Sequence, residues 1–228
     1  MPRTARLWMD GFAYHVLNRG NRRQEVFAQP ADYESFLRTR ADALDRHPIR
    51  LLSFVVMPNH FHLVVWPEEA CAISAFMRWF MNAHIRRHHM FNRLWGTGHL
   101  YQGRFKAFPI QRGDHLLTVH RYVEANALRA NLVRRAQEWP YSSLVRDSCS
   151  DGRGLLSQGP VARPDDWSEL VNQLQSRAVR DALRTCAQRQ IGFGDPAWVT
   201  ALEKQRKSGT LNLECPPSVG TGGGDTQD

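Results

Sequence analysis

The stretch from residue 49 to 66 constrains this 228-residue chain more than any other. It holds two apolar runs, 49–56 (IRLLSFVV) and 60–66 (HFHLVVW), split only by Met57-Pro58-Asn59. Both runs have strand length and are rich in β-branched or aromatic residues. Pro and Asn are turn formers, so the segment predicts an antiparallel hairpin. Side chains alternate faces along a strand, so His60 and His62 point one way and Phe61 the other. Two imidazoles side by side could hold a divalent ion if other elements complete the site.

The flanking pattern supplies those elements. A first strand is predicted over 13–18 (AYHVLN), followed by a basic turn over 19–23. Arg19, Asn21 and Arg22 in that turn are candidates for phosphate contacts. Tyr33, Phe36, Leu37, Ala41 and Leu44 recur at three- and four-residue spacing and predict a helix over 30–47, stopped by Pro48. Ile73, Phe76, Met77, Phe80 and Ile85 predict a second helix over 72–89. His84, His88 and His89, with the arginines around them, read better as a basic surface facing phosphate than as a metal cluster. A Gly-rich loop over 92–99 leads to a strand or hairpin over 100–111 that carries two further basic side chains, Arg104 and Lys106. A third helix is predicted over 114–125, with Asp114 as N-cap and Leu116, Leu117, Val119 and Val123 as its buried stripe.

This order predicts an α+β, ferredoxin-like core over 1–146: an antiparallel sheet with helices on one face. Trp139-Pro140-Tyr141-Ser142-Ser143 reads as an aromatic turn packed back on that core. Residues 147–207 read as a helical C-terminal extension, loop-like over 147–159, with helices over 165–190 and 196–207. Residues 208–228 turn to Gly, Pro, Ser and Thr and are expected to be disordered.

A net charge of +8 and a pI near 9.8 favour a polyanionic partner, nucleic acid before an anionic membrane surface. The four cysteines show no C-x-x-C spacing and read as reduced thiols of a cytoplasmic protein. No secretory pattern opens the sequence and no apolar run has membrane-spanning length, so no membrane partner is expected.

No H-E-x-x-H and no zinc-finger spacing completes the histidine pair. The third helix offers Tyr122 and Asn126, four residues apart and on one helical face. Packed near the histidine strand, it could bring an amide oxygen to the metal and a phenol beside it. A phenolate next to a metal-bound phosphate can attack phosphorus and form a phosphotyrosine.

Five ordered stretches resemble the REP-associated tyrosine transposases, single-tyrosine members of the HUH nuclease group related to the transposases of small bacterial insertion sequences. They are YHVLNRGNRRQEVF from Tyr14, MPNHFHLVV from Met57, LYQGRFKAFPI from Leu100, RYVEANALRANLV from Arg121 and WPYSS from Trp139. The resemblance implies that Tyr122 is the nucleophile and that His60, His62 and Asn126 hold Mg²⁺ or Mn²⁺. It implies a bacterial, nucleoid-associated enzyme that cuts and rejoins single-stranded DNA beside hairpin-forming repetitive extragenic palindromes. It also favours a monomer over a dimer. Ala127-Leu128 stands where Asn-Pro-Val is common in the family, and the family's basic tail is only partly echoed by Lys204-Gln205-Arg206-Lys207. The rival readings are a hairpin-binding protein that no longer cuts, a metal-dependent hydrolase that uses water, and an RNA-binding ferredoxin-like domain.

Overall fold

The computed structural model describes residues 6–93, 96, 98–146 and 155–208. The polar stretch 209–228 and most of the predicted 147–159 loop lie outside these residues, as do Cys149 and Cys215. Cys71 and Cys186 are free thiols. The chain runs β1 (Ala13–Arg19), α1 (Pro30–Arg46), β2 (Arg50–Met57), β3 (His60–Trp66), α2 (Ala72–Asn92), β4 (Lys106–Ile110), α3 (Asp114–Glu124) and α4 (Asn126–Arg129). Four helices follow: α5 (Ser143–Arg146), α6 (Trp167–Asn172), α7 (Arg177–Arg189) and α8 (Pro196–Lys207). Among the described residues no helix is long and apolar enough to cross a membrane.

The strands form one antiparallel sheet in the order β2-β3-β1-β4, the ferredoxin-like arrangement. The predicted hairpin is tight: Met57 pairs with His60 across Pro58-Asn59. β1 lies on the other side of β3, with Arg19 opposite His60 and Leu17 opposite His62. Gly20 closes the turn after β1. A Cβ there would lie 2.5 Å from the Gln24 carbonyl oxygen and 2.8 Å from Val26, so no larger residue fits without moving the backbone.

β3 is buried on both faces, which gives the sheet two helical layers. Phe61, Leu63 and Val65 face α1 and α2, where Phe61 meets Phe36 and Phe80 at ring-centroid distances of 5.0 and 6.1 Å. The sequence expectation placed the helices on one face, and α1 and α2 occupy it. The other two packing helices, α3 and α7, lie on the opposite face. There Val55, Met57, Val64 and Phe108 meet Leu116, Val119 and Val123 of α3 and Leu183 of α7. The cause is visible in β2 and β3, whose apolar residues are consecutive and therefore cover both faces.

Two further expectations are corrected. His84 and His88 do not lie on a surface facing phosphate; they continue the i, i+4 stripe of α2 into the core. His84 packs against Phe27 and Phe36 at centroid distances of 5.7 and 5.0 Å. The helix predicted over 165–190 is two helices. α6 ends at Asn172, and α7 restarts after Ser176, whose side chain accepts from the Val179 N–H.

The C-terminal segments are fastened to α3 through Glu124, which is fully buried. Its carboxylate accepts from Ser143 Oγ at 2.5 Å, from Arg163 at 3.0 Å and from Trp167 Nε1 at 2.7 Å. Removing the carboxylate strands these buried donors, so Glu124→Ala is expected to lower stability by about 3 kcal/mol. A denaturant titration showing a loss below about 1 kcal/mol, the net value of a single hydrogen bond, would remove Glu124 from this role. Both sheet edges are also covered by the chain itself. Phe193 bridges Ile110 on the β4 side, while Tyr141, Ser143 and Ser157 hydrogen-bond the backbone of β2.

Candidate active site

β3 delivers His60 and His62 to the face covered by α3. Their ring centroids are 5.0 Å apart and their planes nearly perpendicular, at 87°. Each ring is held through Nδ1. His60 Nδ1 lies 2.6 Å from Asn59 Oδ1, and His62 Nδ1 lies 2.8 Å from His15 Nε2. An amide oxygen only accepts, so His60 carries its proton on Nδ1 and keeps the Nε2 lone pair free. The same arrangement follows for His62 when its Nδ1 donates to His15, the usual way in which a neighbouring group orients a ligating histidine.

The electrostatic surroundings keep these rings neutral. Burial pushes His15 and His60 down to about 3, with Arg129 acting in the same direction on both and Arg19 on His60. Burial pushes His62 well below its ordinary value, and His15 and His60 add to the effect. A neutral imidazole is the form that binds a metal.

Tyr122 sits on α3 above the pair, its ring centroid 5.9 Å from His62 and 6.0 Å from His15. Arg129 places its guanidinium 4.3 Å from the centre of that ring. Asn126 is the first residue of α4, not the continuation of α3. Ala125 between them keeps near-helical angles (φ −81°, ψ 5°), so Asn126 still lies about one turn beyond Tyr122. Asn126 is buried beside His60, and its Oδ1 accepts from Arg129 at 2.9 Å.

This donor set fits a divalent ion. Among the described residues no group of three or more His, Cys, Asp or Glu could hold a metal, so a third protein ligand has to come from elsewhere. Asn126 Oδ1 qualifies, since a carbonyl oxygen has two lone pairs and Arg129 takes one. Two imidazoles and one amide oxygen suit Mn²⁺ better than Mg²⁺.

A cavity of about 950 Å³ opens over these groups. Arg19, Arg104 and Lys106 line it, while Asn21 and Arg22 do not; Arg23 is the second residue of the turn to reach it. The backbone explains this exchange, since Arg22 and Arg23 both take left-handed angles, with φ 51° and 61°, and swing successive side chains apart. Sequence reasoning missed His15, Arg129 and the α7 residues Arg180 and Arg184, which line the same cavity. His15 could have been found by parity, because it shares the Leu17 and Arg19 face of β1. Arg129 lies seven residues, two helical turns, beyond Tyr122.

Residues 9–126 match the family described as IS200-like transposases, which is more than half of the 228 positions. The chain belongs to the IS200-like transposase family. A solved REP-associated tyrosine transposase bound to a REP hairpin has the same fold, with a TM-score of 0.55 and 18% identity over 72% of this chain and 96% of that one. A Deinococcus radiodurans protein, provisionally named a transposase, is 20% identical over 54% of this chain and 95% of its own, at a TM-score of 0.37. No curated protein matches. The transposase match covers β1 to the start of α4, and so all of His60, His62, Tyr122 and Asn126.

Proposed function

We propose that this IS200-like transposase cuts and rejoins single-stranded DNA next to a hairpin through a covalent bond to Tyr122. The observation that carries the reading is the convergence of Tyr122, His60, His62 and Asn126, from β3, α3 and α4, under one cation-lined cavity. His60, His62 and Asn126 would hold Mg²⁺ or Mn²⁺, which when bound neutralises charge on the scissile phosphate. Tyr122 Oη attacks phosphorus as the bond from phosphorus to the 3′ oxygen breaks. The products are a 5′-phosphotyrosine and a fragment with a free 3′ hydroxyl, and attack by such a hydroxyl reverses the step. Arg129, whose guanidinium lies against the Tyr122 ring, offers donors to a phosphate oxygen. Arg19, Arg104 and Lys106 would hold the flanking strand, whereas Asn21 and Arg22 would contact DNA only outside the cavity. The REP hairpin in the related structure supports a hairpin-bearing substrate.

The test is to incubate the protein with Mn²⁺ and a single-stranded oligonucleotide carrying a hairpin. Mass spectrometry should find a DNA fragment attached to Tyr122. Cleavage without any adduct would assign the site to water-mediated hydrolysis, and no cleavage across a panel of hairpin substrates would leave a binding protein.

The chain's own segments hydrogen-bond part of each sheet edge, at Pro109 and Gln111 on the β4 side and at Leu51 and Val56 on the β2 side, which favours a monomer. Light scattering of the purified protein should give about the 26.2 kDa of one chain; a stable dimer mass would overturn this.

A further inference from the structure

α7 belongs to the C-terminal extension, beyond the residues that match the transposase family, yet it forms one wall of the active-site cavity. Arg180, Leu183, Arg184, Ala187 and Gln188 reach the cavity, and their spacing of three and four defines one helical stripe. The placement is fixed from several sides. Leu183 and Cys186 are buried in the same apolar cluster as Tyr122, Phe108 and Ile110. Past the helix, the Phe193 N–H donates to Pro109 O at 3.0 Å and Phe193 O accepts from the Gln111 N–H at 2.9 Å. Asp195 and the Gln111 side chain then bond each other twice, at 2.6 and 3.1 Å. A helix that merely drifted near the site would not be stitched to β4 in this way.

The charge on this wall needs an explanation. Arg19, Arg23, Arg104, Lys106, Arg129, Arg180 and Arg184 line the cavity, and among the described residues no Asp or Glu does. Cations held together without carboxylates repel one another, and a polyanion relieves that repulsion. Arg180 Nε is buried without a partner among the described residues. Arg184 meets Asp181 at 3.1 Å in an exposed pair that holds it weakly and leaves donors free. Arginines four apart on a helix are about 6 Å apart along its axis, a spacing that suits neighbouring phosphates on an extended strand. The cavity is large enough for a short run of nucleotides.

We propose that Arg180 and Arg184 of α7 grip the backbone phosphates of single-stranded DNA next to the scissile position, so that the extension completes the DNA channel facing Arg19 and Arg104. The proposal rests on the reading of this cavity as a DNA-processing site. It differs from that reading in placing affinity, not chemistry, on the extension.

The experiment measures binding alone. In a Tyr122→Phe background with EDTA, a labelled mixed-sequence single strand is titrated across a salt series. Arg180→Ala/Arg184→Ala is expected to bind about tenfold more weakly and to reduce the salt slope by about 1.4, the value for two phosphate contacts on a single strand. Arg177→Ala is the control. Arg177 is exposed, pairs with Asp181 and does not line the cavity, so its loss should change affinity by less than about twofold. Equal affinity and slope in the double variant, or an equal loss with Arg177→Ala, overturns the proposal. Should the double variant melt early, a photo-crosslinking residue at Gln188 keeps the question decidable. Crosslinks to the strand from 188 and not from 177 support the channel, and their absence from 188 refutes it. Failure of the Tyr122 adduct in the parent protein would sink the mechanism and leave this binding result standing, so the two failures are told apart.

Discussion

The Tyr122→Phe variant is expected to bind single-stranded DNA within about twofold of the parent and to cleave it more slowly by about a thousandfold or more. The substitution is clean because the phenyl ring does structural work that phenylalanine preserves. Tyr122 lies in the apolar cluster with Val64, Phe108, Val119 and Leu183, edge-on to the stacked rings of His15 and His62 and against the guanidinium of Arg129. Only the hydroxyl is lost. The cations that line the cavity are untouched, so affinity should persist. Gel assays of strand cleavage alongside anisotropy titrations separate the two quantities. Cleavage by Tyr122→Phe at the parental rate would show that another nucleophile acts. A parallel loss of binding would mean that the hydroxyl positions DNA instead of attacking it.

Such a site is legible in sequence only where the geometry is local. Strand alternation alone puts His60 and His62 on one face, since the period of two holds whatever the strand packs against. The spacing of Tyr122 and Asn126 survives the break between α3 and α4, because Ala125 stays close to helical angles. What the sequence hides is set by register between distant segments. His15 meets His62 across 47 positions, through a pairing of β1 with β3 that no local pattern specifies. The helical layer carrying Tyr122 could not be assigned to a face, because both faces of β2 and β3 are apolar. α7 is harder still. Its arginines read as solvated helix charges until Leu183 and Phe193 dock it against β4. The same holds in reverse for His84, whose neighbours in sequence are basic and whose neighbours in space are aromatic.

That buried position carries the largest stability prediction. Burial pushes His15, His60, His84 and His120 down to about 3, with nearby cationic groups adding to the shift. In the unfolded chain each titrates near 6.5. Between these values the unfolded state binds more protons than the folded one, so stability is complete above about pH 6.5 and falls as the pH drops toward 3. One unit below 6.5, each such histidine has cost about 1.4 kcal/mol, and four together about 6 kcal/mol. Against a typical total of about 5–15 kcal/mol, that should unfold the protein near pH 5 in the presence of EDTA. Thermal melts followed by circular dichroism from pH 8 to 4 should show the midpoint flat above 7 and falling steeply below 6. His84 provides the internal check, because it lies away from the cavity, between Phe27, Phe36 and Phe80, and neither ring nitrogen has a partner among the described residues. His84→Phe keeps the ring packing and removes one titration, so the acid transition should move to lower pH and lose about one proton of steepness. A midpoint that stays constant from pH 7 to 5, or an unchanged slope in His84→Phe, would show that these histidines reach water before they are protonated.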